Sequence, residues 1–179
     1  MPGNAFIRFE TPDKKYAPGE SQQIGHLGKE DGWIEIGDWS WDVEAEASHL
    51  KGTGASVGKP NPGAVSFSHY YDKSSPVLMQ FIVKGTHFKT ATIHMLKQTG
   101  KEQPELFFEM VCGGVFITKV SSKGGEDGAV NQDVEFVCKE MAIGYKQQNN
   151  NGTLETMLPF RWNIAEQTQT NKDIALTIK

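Results

Sequence analysis

Apolar and polar residues alternate with period two along most of this chain. Candidate strands fall at Ala5–Glu10 and at residues 33–45, 63–71, 87–97, 106–120, 134–146 and 158–164, each bounded by clusters of Gly, Pro, Asn or Asp. So many short strands within one domain predict an all-β barrel or two-sheet sandwich. In the second segment Ile34 and Ile36 share one face, whereas Trp39, Trp41 and Val43 have the opposite parity, so a bulge is expected near Gly37 and Asp38. In the last segment Leu158, Phe160, Trp162 and Ile164 alternate with Pro159, Arg161 and Asn163, which predicts one buried and one exposed face and, because of Pro159, an edge position or a strand start. An Asn-Gly turn at Asn151 and Gly152 predicts that the last two strands form a hairpin. Residues 106–117 are apolar on both parities, as a central strand covered on both faces requires.

One stretch, residues 74–85, departs from the β pattern. Ser75 can cap, Pro76 suits the first helical position, Val77, Leu78, Phe81 and Ile82 make one apolar face, and Gly85 suits the position after the last turn. A short amphipathic helix covering part of the sheet is expected. Two long loops remain, at residues 48–62 and 121–132. Loops beyond about 12–15 residues are uncommon inside a compact domain and are usually functional or disordered. The first is the stronger functional candidate, with Leu50, Lys51, Val57 and Lys59 as contact residues, because a solvated loop has no use for the apolar anchors Leu50 and Val57.

The length, 179 residues, fits one domain able to build an ordinary core. With 18 basic against 22 acidic side chains the net charge is -4, and no basic run exceeds Lys14-Lys15, so nucleic acid is not an expected partner. No stretch approaches the roughly 18 apolar residues of a membrane span, so no membrane is expected as a partner either. The start Met1-Pro2-Gly3-Asn4 lacks a basic segment followed by an apolar one, which predicts synthesis in the cytoplasm without a signal peptide.

Candidate chemistry is sparse. Cys112 and Cys138 read as small buried hydrophobes, since no CxxC spacing supports zinc or redox work. His26, His49, His69, His87 and His94 are scattered, with no metal-ligand spacing, so no metal and no cofactor are expected. Asp38, Asp42, Glu44 and Glu46 share one parity and read as a solvated stripe, although a calcium site or a glycosidase dyad would also use such a set. Trp33, Trp39, Trp41, Tyr70, Tyr71 and Trp162 read mainly as core. Asn151-Gly152-Thr153 fits a turn better than a glycosylation site, and residues 52–59 lack the Ser or Thr after Lys59 that a phosphate loop needs. No catalytic constellation emerges, and the chain is not expected to be an enzyme. A glycan-binding β-sandwich with Trp39 or Trp41 on an open face, and a carboxylate-based hydrolase, are the readings from other classes.

The run from Gly32 through Trp39-Ser40-Trp41, the run Asp72-Lys73-Ser74-Ser75-Pro76 before the helix, and Gly85-Thr86-His87 after it resemble, in order and spacing, the Hcp family, the tube protein of type VI secretion systems. The resemblance covers roughly residues 3–166, with residues 22–30 reading as an insertion and 167–179 as a C-terminal extension of a single domain spanning 1–166. It implies a β-barrel of two sheets with one flanking α-helix, phage tail-tube-like, assembling into a hexameric ring. Stacked rings would be expelled by a contractile sheath. The partners it implies are further copies of the chain, sheath, spike (VgrG-like) and effector proteins, the last carried in the lumen.

Overall fold

The structure, a computed structural model, describes residues 4–22, 32–48 and 56–179. Its elements in chain order are β1 (Ala5–Glu10), β2 (Ile34–Ile36), β3 (Trp39–Ser40), β4 (Val43–Glu44), β5 (Ala47–Ser48), β6 (Ser56–Val57), β7 (Asn61–Pro62), β8 (Val65–Tyr70), α1 (Ser74–Lys84), β9 (Phe88–Lys97), β10 (Glu105–Gly124), β11 (Val130–Val137), β12 (Glu140–Tyr145) and β13 (Leu158–Asn163).

The long strand β10 belongs to two sheets. Its first half lies between β9 and β12, paired from Glu105↔Lys97 to Val115↔Phe88 on one side and from Phe108↔Tyr145 to Gly113↔Glu140 on the other. Its second half pairs with β11, from Phe116↔Val137 to Gly124↔Val130. The first sheet therefore runs β2-β1-β9-β10-β12-β13 and the second β10-β11-β8-β3, all antiparallel. The all-β architecture of two sheets with a flanking helix is as expected. Between the sheets lies one core that includes Ile7, Phe9, Ile34, Phe67, Phe88, Ile93, Met110, Val115, Phe136 and Met141.

β10 changes sheets at Gly113 and Gly114. Gly114 has φ +63°, a conformation that a Cβ disfavours, and a Cβ there would also press on Lys139 at 3.1–3.3 Å. The neighbouring link between β11 and β12 bends at the same level, held by a hydrogen bond from the Lys139 amide to the Gly113 carbonyl (2.9 Å). A second corner stands where a bulge was expected: Gly37 donates to Ser68 O (2.8 Å) and Ser68 donates to Asp38 O (3.0 Å), so the chain leaves the first sheet after β2 and enters the second at β3. The parity change of the tryptophans thus marks a passage between sheets.

Both expected loops carry strand pairing among their described residues. In the first, β4 pairs with β7 and β5 with β6 as a two-stranded ribbon, with Val43↔Pro62, Glu44↔Asn61, Ala47↔Val57 and Ser48↔Ser56 opposed. Residues 121–132 are the arms of the β10–β11 hairpin, and only a tight turn with φ +83° at Gly128 connects them. The hairpin of β12 and β13 is present, with Gly152 in its turn at φ +89°.

Helix α1 begins two residues before the expected Pro76. Asp72 performs the capping: its Oδ1 accepts from the Ser74 amide (2.8 Å) and hydroxyl, while Ser75 Oγ accepts from the Asp72 amide (3.1 Å). Pro76 sits in the first turn, where its missing N–H costs nothing. Gly85 closes the helix at φ +67°, and the amides of Gly85 and Thr86 donate to Ile82 and Phe81 carbonyls. Leu78 is fully buried, and Phe81 stacks on Phe88 at 3.9 Å between centroids. The apolar face read from the sequence is the face that meets the barrel.

The corner yields a direct test. Gly114→Ala should destabilise the protein by roughly 1–2 kcal/mol, the cost of left-handed backbone for a residue with a Cβ. Gly124→Ala, where a Cβ meets open space, should change the denaturant midpoint far less.

Candidate assembly surface

Along β13 burial decays steadily. Trp162, at the barrel, is 7% exposed, Phe160 is 42% and Leu158 is 66% exposed, although all three share one side of the strand. Tyr145, opposite Leu158 in β12, is 43% exposed. The expected buried face is therefore buried only at one end. Beyond Trp162 the core-facing side of these two strands runs past the second sheet, and its apolar residues meet water. The outer edge of β13 carries no further strand among the described residues. A large apolar cluster beside an open strand edge is the signature of an interaction surface.

The opposite side of the same sheet is closed in a way the sequence pattern does not announce. The last residues of the chain lie across it as a strap. Ile174 meets Gly113, and Ile178 and Leu176 meet Gly144, so closely that a Cβ on either glycine would fall 2.6 Å from an isoleucine methyl. Two buried carboxylates hold the strap by its backbone. Glu140 accepts the amides of Lys172 (3.0 Å) and Asp173 (3.1 Å), together with Asn163 Nδ2 (2.9 Å). Glu109 accepts the amides of Thr177 (2.6 Å) and Ile178 (3.2 Å) and the Thr177 hydroxyl, and its Oε2 lies 2.6 Å from His94 Nε2. Burial works to raise the Glu109 pKa, but the hydrogen bonds from His94 and Thr177 and the His94 charge outweigh it and hold the carboxyl below its ordinary value. His94 in turn packs on Trp33 (4.6 Å between centroids), over which Arg8 lies.

The residues singled out in the sequence are dispersed. Trp39 and Trp41 pack against the core; Trp39 stacks on Phe108 at 5.2 Å and its Nε1 donates to Met95 Sδ (3.3 Å), an arrangement that does not favour a glycan platform. Asp72, Ser74, Ser75 and Pro76 build the start of α1, with Ser74 and Ser75 buried and Lys73 exposed. Lys59 is exposed beside the β6 arm of the ribbon. Val57 lies in β6, whereas Leu50 and Lys51 fall outside the described residues. Of the acidic stripe, Asp38, Asp42, Glu44 and Glu46 are all exposed, and among the described residues no three His, Cys, Asp or Glu side chains converge as metal ligands would. Glu109 and Glu140 escape sequence reasoning because a carboxylate in a strand reads as a solvated position; Glu109 alone carries a signal, since it interrupts a run with apolar residues on both sides, whereas Glu140 follows Lys139. Among the described residues no helix is long and apolar enough to cross a membrane.

Residues 6–150 match the family described as "Type VI secretion system effector, Hcp". Protein hcp1 of Pseudomonas aeruginosa (strain PAO1) is 29% identical over 154 residues, covering 84% of this chain and 91% of that protein. Among solved structures, one described as a type six secretion system protein superposes with a TM-score of 0.80 at 22% identity, covering 93% of this chain and 98% of the other. Hcp1 from Salmonella typhimurium superposes with a TM-score of 0.70 at 21% identity, covering 93% and 99%.

The strap carries its own prediction. Because the folded Glu109 pKa is depressed, its contribution is present above the ordinary carboxylate pKa and is lost as pH falls through the folded value. The protection factors of the Thr177 and Ile178 amides, taken against the intrinsic exchange rate at each pH, should therefore fall on acidification, and Glu109→Gln should lower them already at neutral pH. Equal protection in wild type and variant across that range would show that Glu109 does not hold the strap.

Proposed function

The chain belongs to the Hcp family, the tube proteins of type VI secretion systems, and we propose that its copies close into a hexameric ring whose stacks form that tube. The observation that carries the ring is the uncovered apolar cluster of Tyr145, Leu158 and Phe160 beside the open edge of β13. A head-to-tail contact between this surface and a different face of the next copy can repeat until the ring closes. The role is structural rather than catalytic. Sheath and spike proteins are the partners outside and at the tip, effectors are the passengers in the lumen, and the protein leaves the cell with the tube.

The ribbon of residues 43–62 is the element we assign to contact between rings. Among the described residues its strands pair only with each other, and Val43 on it is 45% exposed. Leu50, Lys51, Val57 and Lys59 are the residues proposed to meet the next ring. A two-stranded ribbon is marginal by itself, so a stacked neighbour would supply the contacts that hold its arms together.

Light scattering on the size-exclusion peak should give the mass of a hexamer for the wild type, and Phe160→Asp should shift it towards monomer while leaving the far-ultraviolet circular dichroism intact. A monomeric wild type at micromolar concentration and moderate salt, or a hexameric Phe160→Asp, would remove β13 from the ring contact. Replacing residues 51–59 with a short Gly-Ser turn should leave the ring and abolish its stacking into tubes; tubes at the parental level in electron micrographs would exclude the ribbon from that role.

A further inference from the structure

The corner where β10 passes between the sheets carries two thiols that the tube reading does not use. Cys112 lies on β10 directly before Gly113, facing the core and 1% exposed, and pairs in register with Met141. Cys138 lies in the link between β11 and β12, directly before Lys139, and packs half-buried against the core cluster that contains Cys112. The backbone bond from the Lys139 amide to the Gly113 carbonyl ties the residues that follow each cysteine to one another. Both cysteines are free thiols. We propose that Cys112 and Cys138 are a redox pair that closes into an intramolecular disulfide across this corner.

The two thiols have distinct parts in that closure. Cys112 holds its proton, its pKa pushed well above the usual thiol value by a hydrogen bond with Cys138 first, then by burial and by the charge of Cys138. Cys138 is the less buried of the two residues, and so the one placed to meet the oxidant. With a small-molecule disulfide such as oxidised glutathione, the Cys138 thiolate attacks one sulfur, the glutathione S–S bond breaks and one glutathione leaves as thiolate. Cys112 then gives up its proton to that thiolate or to water and attacks the Cys138 sulfur, which expels the second glutathione. Two protein thiols have lost two electrons and two protons, and the oxidant has become two thiols. The resulting bond joins the strand before the Gly113–Gly114 bend to the link that bends beside it, so the corner cannot open without breaking a covalent bond. The pairing stands on the packing of this one chain and is independent of how copies assemble.

The test uses the full-length protein, first reduced and then held in oxidised glutathione. Wild type should lose the mass of two hydrogens, give a Cys112–Cys138 linked peptide on digestion and unfold at a higher temperature than its reduced form. Cys112→Ser should stop at the first step and accumulate a glutathione adduct on Cys138, because no second thiol is there to expel it. Cys138→Ser should keep Cys112 as a free thiol. A wild type that retains both thiols, that keeps the adduct on Cys138, or that links only between chains overturns the proposal.

Discussion

The barrel depends on one strand that serves two sheets. β10 runs from Glu105 to Gly124, and its halves hydrogen-bond to different neighbours. A strand of that length can join two sheets only by bending sharply, and the bend requires a residue that tolerates left-handed backbone. Gly114 supplies it, at φ +63°. The link from β11 to β12 makes the same turn alongside, coupled through the Lys139 amide and the Gly113 carbonyl. Register next to the corner follows from that single alignment, up to the irregularity between Ile117 and Lys119: once Gly113 faces Glu140, Phe116 must face Val137, and the inward parity of Val115, Ile117 and Phe136 follows.

The sheets do not end at the same place. The first extends to β13, beyond the region that the second can cover, and the apolar side of its last two strands is left open there. On the other side of the same sheet the solution is different. Among the described residues a strap without secondary structure of its own covers it, fixed because two carboxylates accept its amides. Burying an ionised carboxylate is costly unless its oxygens are hydrogen-bonded, and each here collects at least three donors. The same bonds that hold the strap are therefore what permit charge beneath it.

Strand content, the single helix with its apolar face and terminal Gly85, and the hairpin of β12 and β13 were all legible in the chain, because each rests on local periodicity or turn chemistry. The need to cover both faces of residues 106–117 was legible too. What covers the outer face was not, since the contact joins Glu109 to Thr177 and nothing local to either residue announces the other. The passage between sheets at Gly37 and Asp38 reads as a bulge for a related reason: a change of parity looks the same in sequence whether the strand bulges or leaves its sheet. The open apolar end of β13 was hidden behind perfect alternation, which reports sidedness and is silent on whether a second layer reaches that far.

The strap also imposes an order on the making of the protein. Residues 171–178 leave the ribosome after every strand they cover, yet they bring the donors that Glu109 and Glu140 need. Until they emerge, the nascent chain can form its strands but must leave two carboxylates facing water and Gly113, Ala142 and Gly144 bare. Completion of the outer face thus waits on the synthesis of residues 171–178. A prematurely terminated chain that lacks these residues would differ from a finished one by an exposed acidic strip, so the difference between finished and unfinished subunits is written on their surface before either meets a second copy.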